Sequence, residues 1–124
     1  MTAHFPGRAA IEGYGKGGFS FAGMSHKGSI LVLPSGIYAW NADPARLSPA
    51  DFAMVLAERA AIDLLLLGMG PVMARPPKTV REALAATGIM IDCMATGHAI
   101  ATYNLLLEER RKVAAALIAV DHAA

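Results

Sequence analysis

The sequence predicts a three-layer α/β domain with a central mixed sheet, in which antiparallel N-terminal strands are followed by β-α-β-α-β units. Three observations carry that prediction. Between Phe19 and Trp40, three strand-like runs follow one another across short turns, the pattern of antiparallel neighbours. From Ser48 onward, helical and strand patterns alternate, the rhythm of crossover units feeding a parallel or mixed sheet. The run 62–67, "IDLLLL", is apolar at each position from Leu64 to Leu67, as a strand covered on both faces must be.

Taken in order, residues 1 to about 18 are Gly-rich and weakly patterned, so 1–15 is expected to be a loosely ordered lead-in to one domain spanning 1–124. "FSFAGM" at 19–24 sets Phe19 and Phe21 against Ser20 and Ala22, a period of two. "SHKG" at 25–28 has the composition of a turn, and "SILVLPSGIYAW" gives two more strands around Pro34-Ser35-Gly36. Ser48-Pro49 starts a helix: the hydroxyl suits the N-cap, and proline's missing amide is not needed in the first turn. Asp51 there faces the positive end of the helix dipole, and Phe52, Val55, Leu56 and Arg59 continue at helical spacing. After the strand 62–67, "PPKTVREALAATG" reads as a helix with Val80 and Leu84 on one face and Gly88 as its terminator. A strand over 89–94 follows, then a helix capped by Thr96 and running to Arg110, and a closing strand from Val113 to Ile118.

Bulk properties exclude several function classes. A chain of 124 residues with 55% hydrophobic and 17% charged residues buries a real core as one unit. A formal net charge of +1 without a basic stripe gives no footprint for nucleic acid. The lone Cys93 rules out an internal disulfide and fits a reducing compartment. Mean hydropathy is +0.42. Yet Leu64–Ala74 is interrupted by Gly68, Gly70 and Pro71, and neither it nor Val113–Val120 approaches the roughly 20 apolar residues that a spanning helix needs. Direct membrane insertion is therefore not expected, and the excess hydrophobicity reads as core plus a protein interface. The opening "MTAHFPGRAAIEGYGKGG" has no apolar core of a signal peptide and no Arg-rich amphipathic pattern, which predicts a cytoplasmic protein.

The strongest motif is the glycine turn, "LLLLGMGP". A dinucleotide loop runs straight into a helix so that amides and helix dipole face the phosphates. Here Pro71 removes a donor and Pro76-Pro77 delay the next helix, and no Gly-Lys-Ser/Thr follows. The turn is instead expected to let the backbone pass close to a neighbouring element. Gly13, Gly15, Gly17 and Gly18 precede a strand, the wrong order for a phosphate cradle. Cys93 and His98 straddle a strand-to-helix junction, where a thiolate–imidazole pair is conceivable, but a lone buried thiol is the commoner case. His4, His26, His98 and His122 lack metal-ligand spacing. No catalytic residue, metal ligand or cofactor is assigned. On the helix after Thr96, Ile100, Tyr103 and Leu107 form an apolar stripe with Asn104 beside it. Asn104 either faces a pocket or bonds a loop backbone, and the second reading is preferred, with the Tyr103 ring in the core.

"TYNLLLEERRKVAAALI" at 102–118, together with "GGFSFAG" at 17–23, Pro34, Trp40, "DLLLLGMG" at 63–70 and Gly88-Ile89, resembles a small α/β domain family. That family includes mitochondrial respiratory complex I assembly factor three, an adipogenesis-associated protein, and largely uncharacterised bacterial and archaeal relatives. The resemblance implies a three-layer fold around a mixed sheet and an assembly-partner role, without an established reaction. Met69 stands where a small or hydroxyl residue is more usual, and the missing transit peptide fits a bacterial cytosolic relative.

Two functions follow as expectations. The first is a non-enzymatic protein-interaction or assembly-factor-like module. Its partner is another protein, such as a membrane-complex subunit, with homo-oligomerisation left open. The alternative is a small-molecule-binding protein or enzyme with a pocket between the 68–77 loop and the N-terminus of the 96–110 helix. The candidate ligand- or partner-binding residues are Gly68, Gly70, Arg75, Tyr103 and Asn104.

Overall fold

A computed structural model of the chain describes residues 3–123. Five strands come first, and helices and strands alternate after them: β1 (Ile11–Gly15), β2 (Gly18–Phe21), β3 (Met24–Lys27), β4 (Ile30–Leu33), β5 (Gly36–Ala39), α1 (Ala53–Ala57), β6 (Leu64–Gly68), α2 (Lys78–Ala85), β7 (Met90–Met94), α3 (Thr96–Glu108) and β8 (Val113–Leu117). The middle layer is a mixed sheet in the order β5-β4-β8-β6-β7. β8 pairs antiparallel with β4 and parallel with β6, so the last strand in sequence is the central one.

The alternation of side chains along these strands builds two cores. Leu31, Leu33, Leu65, Leu67, Ala114 and Ala116 face Phe52, Val55, Val80 and Leu84 of the α1/α2 layer. Ile30, Val32, Leu66, Val113, Ala115 and Leu117 face α3 and the antiparallel sheet β1-β2-β3, through Ala99, Ile100, Tyr103, Phe19 and Phe21. β6 is buried on both faces, although β8 and not β6 sits at the middle of the sheet.

Several local expectations shift. The helix predicted from Ser48 is a 3-10 turn over Pro49–Phe52 that passes into the short α1. The Asp51 carboxylate accepts from the Ser48 amide at 2.8 Å, so the N-terminal signal lies where the sequence places it. Residues 11–15, read as part of the lead-in, form β1, and "SHK" at 25–27, read as turn, forms most of β3. The turns lie at Lys16-Gly17 and Ala22-Gly23, whose four φ angles are 53°, 75°, 51° and 74°. Two consecutive positive φ values make the tight hairpin turn that matches strand twist. β3 has a turn-like composition because its side chains are largely solvent-facing. Thr96 is the first residue of α3 and its hydroxyl bonds elsewhere; the cap position is Ala95, which has no side-chain bond. Among the described residues, no helix is long and apolar enough to cross a membrane.

Candidate functional site

The glycine turn after β6 has its donors committed. Met69 donates its amide to the Met94 carbonyl at 2.9 Å, and Gly70 donates to Thr96 Oγ1 at 3.0 Å. The Thr96 hydroxyl itself donates to the Ile118 carbonyl at 2.8 Å, while the Thr96 amide donates to the Gly70 carbonyl at 2.8 Å. Ile118 in turn donates to the Gly68 carbonyl at 2.9 Å. A phosphate cradle needs amides pointing into open space, and those of Met69 and Gly70 point at the end of β7 and the start of α3. A Cβ on Gly68 would lie 2.9 Å from Leu117 Cδ2 and 3.1 Å from Thr96 Cα, so the glycine permits the close approach. Gly70 has φ +107°, which disfavours a side chain there.

Tyr103 and Asn104 belong to a different place. Tyr103 is buried, and its hydroxyl donates to the Ala9 carbonyl at 2.9 Å. Burial pushes its phenol well above the ordinary range, with Arg8 pulling weakly the other way. Asn104 Oδ1 accepts from the Ile11 amide at 2.8 Å, and its Nδ2 donates to the Ile11 carbonyl at 2.9 Å. The expected backbone partner is thus present, on the first residue of β1 in place of a loop.

Arg75 is exposed and lies at a third place, a groove of about 470 Å³ lined also by Met73, Arg81, Ile91, Asp92 and Cys93. The groove sits where the 71–77 loop and α2 meet the outer strand β7. Two guanidinium groups stand beside an apolar floor, so the groove suits an occupant with a negative group and an apolar part. Burial raises the Cys93 thiol, Asp92 adds to that, and Arg75 and Arg81 oppose it. A raised thiol is a poor nucleophile near neutral pH. Cys93 also packs on the α1/α2 side of the sheet, whereas His98 is an exposed residue of α3, which covers the opposite side.

The five candidates therefore fall into three separate places, and Arg75 alone of them lines the groove beside β7. Arg81 and Asp92 are missing from the sequence-based set. Local spacing carries no signal for them, because the 71–77 loop, α2 and β7 meet only through the crossover. A second groove, of about 640 Å³, lies between the β1-β2-β3 sheet and the chain end, with Lys16, His26, Lys27, Asp121 and His122 on its walls. Its His26 ring lies 4.6 Å from that of His4 at a tilt of 48°, and the imidazole is held below its usual range by burial and then by His4, against a raising backbone bond to Ser29. Among the described residues, no three His, Cys, Asp or Glu side chains are grouped to hold a metal ion.

A family described as protein of unknown function (DUF498/DUF598) matches residues 11–118. An uncharacterised protein of Rhodobacter capsulatus is 39% identical over 114 residues, 92% of this chain and 87% of that protein. NADH dehydrogenase (ubiquinone) 1 alpha subcomplex assembly factor 3 of Danio rerio is 34% identical over 109 residues, covering 87% of this chain but 63% of that protein. The chain thus spans less than two thirds of the length of that assembly factor. A crystal structure described as an outer membrane protein from Bartonella henselae superimposes with a TM-score of 0.91 at 48% identity, covering 94% of this chain and 99% of that one.

Proposed function

The chain belongs to the DUF498/DUF598 family of unknown function, similar in sequence to complex I assembly factors, and on that premise we propose a protein-interaction module that assists assembly of another protein. The observation that carries this reading is an exposed apolar surface around β7. Met90 at its head is 71% exposed, and Val72 and Met73 in the loop after β6 are 68% and 61% exposed. Scattered surface hydrophobics are ordinary, but large ones set around an outer strand mark a surface meant to be covered by protein. The committed amides of the glycine turn and the raised thiol of Cys93 support a role without covalent chemistry.

The test is in-cell crosslinking of the tagged full chain in its native host, followed by capture and mass spectrometry of proteins and metabolites together. The reading expects one protein, crosslinked through residues 71–77 or β7, in near-stoichiometric yield. A stoichiometric small molecule that the chain converts, with no crosslinked protein, would establish the pocket alternative in its place.

A further inference from the structure

The two edges of the five-stranded sheet are treated differently. At the β5 edge, His4 donates to the Ile37 carbonyl at 2.7 Å and Ile37 donates to the Phe5 carbonyl at 2.9 Å, so residues 4 and 5 cover it. At the β7 edge, nothing among the described residues plays that part. The direction of each β7 residue follows from parallel geometry. Met90 donates to the Asp63 carbonyl at 3.0 Å and the Met94 carbonyl accepts from Met69 at 2.9 Å, so residues 90, 92 and 94 turn their backbone groups toward β6. Ile91 and Cys93 alternate with them and turn theirs outward, leaving two N–H and two C=O groups along the free edge. Beside these groups run Arg75 and Arg81, with Asp92 as the one acid of the groove.

We propose that the outer edge of β7 accepts an extended segment of a partner protein as an added strand, with acidic and apolar side chains at i and i+2 entering the Arg75–Arg81 groove. This rests on the interaction-module reading and names its surface. Backbone pairing supplies affinity in such strand addition, and alternate side chains supply selectivity. The carboxylate answers the excess positive charge of the groove, and the apolar side chain answers Met73 and Ile91. A second copy of this chain fits poorly. Pairing the outward groups of Ile91 and Cys93 with those of another β7 around a two-fold axis sets Asp92 directly opposite Asp92. Like charges so placed are destabilising. The β3 edge of the three-stranded antiparallel sheet is a poorer acceptor because Lys27 and His26 sit on it.

The test uses the full chain and a phage-displayed library of random dodecapeptides, with amide hydrogen exchange as the structural readout. The proposal expects enriched peptides that place a carboxylate two residues from an apolar side chain and that slow exchange of the Ile91 and Cys93 amides. It also expects Arg75→Glu to weaken their binding by about tenfold or more and Arg75→Lys to retain most of it. Arg75 is exposed and makes no described hydrogen bond, so neither variant threatens the fold. Absence of enriched peptides, protection of amides elsewhere, or unchanged affinity of Arg75→Glu would each overturn the proposal. So would a parent chain that sediments as a dimer with these two amides already protected. If the native-host partner is captured equally by Arg75→Glu with β7 unprotected, the β7 assignment fails while the interaction module stands. If neither chain captures a protein, the module reading itself fails.

Discussion

Asn104 satisfies both backbone groups of Ile11 with one side-chain amide, so it stands in for a neighbouring strand at the point where β1 begins. Two residues earlier in that segment, the Tyr103 hydroxyl holds the Ala9 carbonyl. These contacts give residues 9–11 a fixed place on α3. Asn104→Ala leaves an N–H and a C=O without partners and is expected to cost about 1–3 kcal/mol. Tyr103→Phe keeps the ring and removes one bond, for about 1 kcal/mol, whereas Tyr103→Ala empties a fully buried ring site for about 3–5 kcal/mol. Urea denaturation measures all three. An Asn104→Ala chain as stable as the parent would show that the Ile11 contacts contribute nothing and that the side chain serves a binding role instead. Sequence reasoning placed the Tyr103 ring in the core and gave Asn104 a backbone partner, because an amide beside an apolar stripe needs one. Which backbone it meets was not legible, since Ile11 is far away along the chain.

At the scale of the element, Thr96 joins three pieces that are distant in sequence: the end of β6, the start of α3 and the end of β8. Its hydroxyl is fully buried, accepting from Gly70 and donating to Ile118. Thr96→Val keeps the shape and strands both groups, for an expected loss of about 1–3 kcal/mol in chemical denaturation. Amide exchange at Gly70, whose N–H loses its acceptor, should rise with it; faster exchange confined to α3 would mean that the hydroxyl serves only the helix. The sequence marks Thr96 as a helix cap because hydroxyl residues prefer that position. Tertiary contacts override this preference, since capping would leave the Gly70 N–H and the Ile118 C=O unpaired. The missed β1 and β3 have the same kind of cause: glycines and polar residues weaken a two-residue period that pairing across tight turns then restores.

For the whole molecule, three layers bury the mixed sheet on both faces, and the glycine turn lies within that packing instead of opening a cleft. ATP, GTP, NAD and NADP at millimolar concentration are therefore expected to leave the melting temperature unchanged. A ligand held only by the folded state at about 100 times its dissociation constant would add about 2.7 kcal/mol, which for a chain of this size is a shift of several degrees. A saturable shift with any of the four would show that the loop amides can be released to a phosphate.

The sequence by itself determined the α/β class, the order of strands and helices from Ile30 onward, the buried stripe of α3, and the use of the glycine turn as a point of close approach. These follow from local periods, caps and turns, which are properties of neighbouring residues. Only the tertiary structure decided that the last strand is central, that β7 is the open edge, and that Arg75, Arg81 and Asp92 share one groove. Strand order and groove formation depend on which crossover lies on which side of the sheet. That choice is set by the burial of two apolar faces at once, and no short window of sequence contains it.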